Sequence, residues 1–326
     1  MPAPLSTTAP YDFVSQIAVD NDDIVERVCL GMTWTTCRTP KGIGFAMSPG
    51  TRSRVLEWPG TLAGQPVYEL ATWLNAWDPF AATVGLAACN AAINSPDNAL
   101  MRDAEPIRCN APANLAVFEY FRPRLKGLRT AIIGHYPGID NVFRDLDVTV
   151  LERQPHGGDL PDPAAEFVLP QSDWVFITAT SLINKTFHRL CELSRDAVTV
   201  LMGPSTPWLA QWSKFDVDYL AGVQITDIAK CEQIAAEGGG TRLFEGGVRY
   251  AVADISEHRL EQTQKEIQQI VARRNVLTTE MSGWYEAGNQ KRYRGFYELE
   301  ALNDRLYRLD MRYRRLWNAR QNHSLR

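Results

Sequence analysis

Between Thr178 and Thr186 the chain packs five hydroxyl or amide side chains into nine residues: Thr178, Thr180, Ser181, Asn184 and Thr186, with the amine of Lys185 among them. Such groups donate hydrogen bonds to carboxylate or phosphate oxygens. One hydroxyl, on Thr180 or Ser181, would suffice to cap a following helix, so the density points beyond capping to a ligand. A second polar stretch, Gly203-Pro204-Ser205-Thr206-Pro207, is stiffened by its two prolines. Its Gly203 permits close backbone approach, and Ser205 and Thr206 can donate to an anion. A third, Gly134-His135-Tyr136-Pro137-Gly138, adds an imidazole, which suits general acid/base work or metal ligation near neutral pH.

His135, His156 and His188 are candidate metal ligands, with Cys37, Glu152 and Asp173, but no pair has an H-x-x-x-H or C-x-x-C spacing. His135 is the best placed of the histidines because it ends a strand. His188 falls mid-helix and reads as a surface residue, and Cys37, in a Thr-rich strand, reads as a buried thiol. A Ser/His/Asp site has no G-x-S-x-G elbow to support it. The Gly134 turn stands where a dinucleotide-binding protein has G-x-G-x-x-G, yet it lacks the second glycine and carries Tyr136 and Pro137 instead. Glu152, 18 residues after Gly134, matches the place of a ribose-binding acid. One matching feature of two argues against a nicotinamide dinucleotide, although the helix after Gly138 can still hold an anionic group at its N-terminus.

Each polar loop follows a short apolar run, with strands expected over Arg129–Ile133, Val175–Thr178 and Val198–Met202. Runs of that length bounded by Gly, Pro, Ser and Thr suit strands buried on both faces of a parallel sheet. Loops after parallel strands emerge at one edge, so the three clusters should converge on one crevice. Further strands are expected over Val148–Leu151 and Tyr219–Ile225, with helices from Gly138 to Arg144 and from Asn184 to Leu193, in a doubly wound pattern. Ahead of it, β-rich segments Val25–Thr39 and Gly42–Met47 flank the turn Pro40-Lys41-Gly42, and helices follow over Tyr68–Leu74 and Ala81–Ile93. The second helix is so rich in small residues that it must pack closely on a neighbour.

The strings Val-Gly-Leu-Ala-Ala-Cys-Asn-Ala-Ala-Ile-Asn (84–94), Ile-Thr-Ala-Thr-Ser-Leu-Ile-Asn-Lys-Thr (177–186) and Leu-Met-Gly-Pro-Ser-Thr-Pro (201–207) resemble the putative heavy-metal-chelation domain family. So do Gly134-His135-Tyr136-Pro137 and Leu151-Glu152-Arg153. The resemblance implies a small domain like the N-terminal domain of enolase joined to a Rossmann-like domain, and Gly31 to Cys37 followed by Gly42 to Ala46 fits the first of these. It covers about residues 10–250 and implies a role with metals.

A chain of 326 residues exceeds one ordinary core. The expected fold is α/β: a Rossmann-like parallel-sheet domain (113–253), a smaller enolase-N-terminal-like α+β domain (10–112) and a helical hairpin extension (254–326). Phe296, Leu299, Leu302, Leu306, Leu309, Tyr313 and Leu316 recur at spacings of three and four, forming a long amphipathic helix. Leu260, Ile267, Ile270 and Val271 stripe the helix before it, and Ser282-Gly283 and Gly288-Asn289 are assigned to the connection. Residues 290–326 hold ten basic and four acidic side chains, so with a net charge of −4 the preceding body carries −10. Acidic residues interrupt the tail's arginines, which favours subunit or domain packing over nucleic acid. A homodimer through these helices is expected.

Met1 to Pro10 lack a basic, apolar leader pattern, no apolar run is long enough to cross a bilayer, and the six cysteines show no C-x-x-C pair. A reduced, cytoplasmic setting without membrane contact follows as the expectation. The function expected is binding of a divalent metal ion, or a metal-bearing or anionic small molecule, in the interdomain crevice. The ligand-binding residues would be Gly134, Tyr136, Glu152, Thr178, Thr180, Ser181, Asn184, Gly203, Ser205 and Thr206, with His135, Glu152 and Cys37 as metal ligands. The rival is an enzyme of small-molecule metabolism acting on a carboxylated or phosphorylated metabolite, with His135 as general acid/base.

Overall fold

A computed structural model describes residues 9–19, 21–52 and 56–321. Most of the Met1–Pro10 segment therefore lies outside the described residues. The chain opens with helix α1 (Ala9–Val19) and a three-stranded antiparallel sheet, β1 (Arg27–Leu30), β2 (Trp34–Thr39) and β3 (Gly42–Met47), in sequence order. Helices α2 (Val67–Ala71) and α3 (Pro79–Ile93) follow. Asp78 caps α3 by accepting from the Ala81 amide, and Pro79 stands in its first turn. The small residues of α3 meet the close packing expected of them. A Cβ on Gly44 of β3 would lie 2.1 Å from the Ala87 carbonyl oxygen, and one on Gly85 would lie 2.0 Å from the Leu74 amide nitrogen.

After α4 (Ala99–Asp103) and the short strand β4 (Glu105–Pro106) comes α5 (Ala116–Leu125), then the main sheet begins. Its strands are β5 (Thr130–Ile133), β6 (Val148–Glu152), β7 (Leu160–Pro161), β8 (Trp174–Thr178), β9 (Val198–Met202), β10 (Tyr219–Ile225) and β11 (Val248–Asp254). Between them run α6 (Ile139–Val142), α7 (Ala165–Val168), α8 (Phe187–Leu193) and α9 (Ile228–Ala236). The spatial order is β4-β11-β10-β9-β8-β5-β6-β7. Strands β5 to β10 are parallel, while β11 and β4 add antiparallel pairings at one edge. This is a doubly wound order: the chain leaves β5 toward β6 and β7, then returns to β8 on the other side. Strands β5, β8 and β9 are buried or nearly so along their length, as their unbroken apolar runs require.

Helices α10 (Glu257–Glu286) and α11 (Phe296–Gln321) form an antiparallel pair. Helix α10 runs through Ser282 and Gly283, which were assigned to the connection; the real break comes at Ala287–Gly288, where Gly288 adopts φ 79°. The pair docks on the edge of the main sheet from which its strands start. Arg259 of α10 is fully buried there, donating to the Ala197 and Asp216 carbonyls and to Asp218 Oδ2 at 2.5 Å. From α11, Arg315 reaches Asp173 and the Asp196 carbonyl, and Arg320 reaches Asp254. Leu309 and Leu316 are buried, and the rest of the apolar stripe is half-covered. Among the described residues no helix is long and apolar enough to cross a membrane.

Candidate functional site

The doubly wound order puts a switch point between β5 and β8, the place where the loops of such a sheet are expected to part. Gly134, just past β5, takes φ 101°, a backbone conformation that glycine adopts without strain. A Cβ there would sit 3.6 Å from the Thr178 side chain, so the loops after β5 and β8 do come together. Tyr136 fills the space between them. Its ring packs edge-on against Phe118 at 4.9 Å, and burial pushes its phenol up to about 12, against a smaller opposing effect of a hydrogen bond with Thr178. An aromatic ring at this point leaves less room for a pyrophosphate, in keeping with the missing second glycine.

Next to Tyr136, the His135 side chain is 31% exposed and its Nδ1 lies 3.0 Å from Asp159 Oδ2, a carboxylate only 6% exposed. The same carboxylate accepts from the His156 amide at 3.0 Å. Glu152 closes the loop from below: Oε2 accepts from the His135 amide at 2.8 Å and Oε1 from the Gln154 amide at 3.1 Å. Both oxygens of the expected ribose or metal ligand are therefore engaged by backbone.

On the other side of the switch point, Thr178 and Thr180 hydroxyls lie 3.2 Å apart, and Ser181 is buried with its hydroxyl on the Thr178 carbonyl. Asn184 accepts from both the amide and the hydroxyl of Thr186, an Asx turn. Lys185 stands at φ 65° with its amine on the Leu74 carbonyl and over the Tyr11 ring at 4.7 Å; burial brings it down to about 8. The loop after β9 carries Gly203 at φ 113°, with open space where a Cβ would stand.

Here the small sheet descends onto the main one. The end of β3 touches both polar loops, through Met47 Sδ at 3.6 Å from Thr180 Oγ1 and the Met47 amide at 2.9 Å from Ser205 Oγ. Three asparagines four residues apart clasp the β9 loop. Asn90 donates to the carbonyls of Phe45 and Ser205, Asn94 donates to that of Thr206 and accepts from the Trp208 amide, and Asn98 donates to the Trp208 carbonyl. Ser205 is 2% and Thr206 0% exposed. The loop expected to contact a ligand through these two residues is thus bound to α3, the residues just after it and the end of β3. The asparagine spacing was present in the sequence, but α3 read as a packing helix and hid it.

Other expected positions fall elsewhere. Cys37 is fully buried in β2 beside Cys89, and burial pushes its thiol up to about 12, so the structure does not group it with His135. Asp173 lies at the opposite edge of the main sheet, held by Arg315 and the Arg129 amide. His188 is buried rather than on the surface, with Nε2 3.3 Å from Glu192 one turn on. Among the described residues, no group of three or more His, Cys, Asp or Glu side chains is assembled that could hold a metal ion. Asp159 was missed; its one signal is the string His156-Gly157-Gly158-Asp159, where Gly157 at φ 60° turns the chain back.

Two family models match the chain, over residues 116–254 and 11–93, and both are described as "Putative heavy-metal chelation". The chain belongs to this family. A family member of unknown function from Desulfitobacterium hafniense, solved as a crystal structure, matches at 28% identity with a TM-score of 0.66, covering 76% of this chain and 98% of its own. Another, from Pyrococcus horikoshii, shares the fold at 19% identity and a TM-score of 0.59, covering 76% and 99%. An uncharacterized Methanocaldococcus jannaschii protein is 27% identical over 135 residues, which are 39% of this chain. The chain spans about half, 52%, of that curated relative. Both family matches end before α10, so the helical pair lies outside them.

Proposed function

We propose that the β5/β8 switch point binds a metal ion or a metal-bearing, anionic small molecule, with His135 at its centre. One observation carries this reading: a partly exposed imidazole just past the end of β5, held through Nδ1 by a buried carboxylate, which leaves Nε2 as the nitrogen that can meet a ligand. Gly134, Tyr136, Thr178, Thr180 and Gly203 line its approach in this reading, and the family description supports a metal. The test is metal analysis of protein purified without chelators, followed by thermal-shift screening against divalent cations, carboxylates and phosphates. Stabilisation by a member of that set, abolished in His135→Ala, is the expected result. Stoichiometric metal retained by His135→Ala would remove His135 from the site.

The same His135–Asp159 pairing also suits a general base, and favours a second reading as an enzyme acting on a carboxylated or phosphorylated metabolite. Protein that carries no metal yet is stabilised by such metabolites would support it. We further propose units bounded near 10–112, 113–253 and 254–326, the first like the N-terminal domain of enolase and the second Rossmann-like. All six cysteines are free thiols, which suits a cytoplasmic, reducing setting. Tyr297, Tyr307 and Trp317 stand exposed on α11 and support a homodimer through the helical pair. A monodisperse monomer of the full chain in light scattering would exclude that dimer.

A further inference from the structure

Resting on the binding role proposed above, we propose that His135 and His156 form a two-imidazole site for a nitrogen-preferring divalent cation, with Asp159 positioning the first ring and the backbone of the second. The two rings are neighbours, with centroids 6.2 Å apart and planes at 51°. One carboxylate meets both residues: Asp159 Oδ2 lies 3.0 Å from the His135 Nδ1 and accepts from the His156 backbone amide at 3.0 Å. Because Asp159 is buried and His135 is half-exposed, the brace is fixed while the ligand nitrogen stays reachable. A carboxylate on the far nitrogen of a ligating histidine sets its tautomer and ring orientation and makes it a better donor. His156 is exposed on the turn that Gly157 permits, so its ring is accessible beside that of His135.

The donor chemistry narrows the cation. Imidazoles suit zinc, copper or nickel, whereas magnesium and calcium require oxygen donors. Two protein ligands fall short of the three or four usual for zinc, so the remaining positions belong to water or to the oxygens of a small anion. Glu152 is left out of the set because each of its oxygens already takes a backbone amide, and Cys37 because it is buried in the small sheet. The site is therefore open-sided and suited to a cation that arrives with part of its shell already filled.

Calorimetric titration of the full-length protein with Zn2+ alone tests this. Wild type should bind one equivalent, Asp159→Asn should weaken binding by about 10–100-fold, and His135→Ala and His156→Ala should each weaken it at least as much. With Cu2+, electron paramagnetic resonance should show two coordinated nitrogens in wild type and one in His156→Ala. Since His156 is exposed, its replacement keeps the test decisive even if Asp159→Asn disturbs the loop. Zn2+ affinity unchanged in both His156→Ala and Asp159→Asn overturns the two-imidazole site, and so does a wild type that takes no Zn2+. In either case the broader binding role stands if inorganic phosphate raises the melting temperature of wild type but not of Thr180→Ala, and falls if phosphate and Zn2+ both leave wild type unchanged.

Discussion

The two edges of the main sheet are built from similar side chains and put them to opposite use. At the edge where the parallel strands begin, Arg259, Arg315 and Arg320 meet Asp218, Asp173 and Asp254, and the carbonyls of Ala197, Asp196 and Asp216 take further donors. Charge there closes on charge. At the edge where the strands end, one buried carboxylate braces an imidazole whose second nitrogen is left for something else. Charged residues alone do not mark a site; the difference lies in access, since Arg259 and Asp218 are fully buried whereas the His135 side chain is 31% exposed. The basic tail illustrates the rule, since its arginines answer carboxylates of the body that sequence spacing could not pair with them.

Breaking the closed edge should give the largest effect. Arg259→Met removes the cation from Asp218, which is fully buried, and stranding a buried charge costs about 3–5 kcal/mol. Denaturant unfolding should show that loss, while the protein that remains folded keeps wild-type Zn2+ affinity. A parallel fall in affinity would mean that the two edges are coupled and would end the contrast.

The asparagine clasp comes next. Asn90→Ala leaves the Phe45 and Ser205 carbonyls without their donor in a buried place, at about 1–3 kcal/mol each. The expected result is a clear fall in melting temperature. If Asn90→Ala melts like wild type, the small sheet and α3 are not held on the β9 loop by this clasp. Ser205→Ala should likewise act on stability, by roughly 1 kcal/mol, because its hydroxyl already serves the Met47 amide.

The open edge should respond in the reverse sense. Thr180 is partly exposed, so Thr180→Ala should lower affinity for an anionic ligand by a factor equivalent to about 0.5–1.5 kcal/mol, with little change in stability. Isothermal titration beside a melting curve separates the two. A loss of stability with unchanged affinity would place Thr180 with the clasp.

How much of this was legible follows from the range of each interaction. The strands Val198–Met202 and Tyr219–Ile225 were readable to the residue, because a buried parallel strand is a continuous apolar run. The convergence of the loops after β5 and β8 followed from parallel topology alone. Helix α5 and the antiparallel strand β11 were not foreseen; α5 alternates charge with aromatics and contains Pro123, and β11 follows a glycine-rich loop. Partners distant in sequence were the least visible. His135 and Asp159 are 24 residues apart, and Asn90 and Ser205 are 115, so nothing local signals either pair.

Lys185 offers the finest test, because it sits on the open-edge loop yet is engaged like a residue of the closed one. Its amine meets the Leu74 carbonyl and the Tyr11 ring, and burial brings its pKa down from 10.5 to about 8. The sign of the linkage is fixed by that direction. Between pH 8 and 10.5 the unfolded chain holds a proton at this amine that the folded chain has released, so raising the pH favours folding. Below pH 8 both states are charged, and the penalty for holding the ammonium in a partly buried place is fully present. The stability of wild type relative to Lys185→Met should therefore be flat from about pH 6 to 7.5 and rise in favour of wild type from pH 8 to 10.5. Urea unfolding of both proteins across that range measures it. A difference that does not change with pH would show that the folded protein keeps Lys185 charged against the Leu74 carbonyl and the Tyr11 ring.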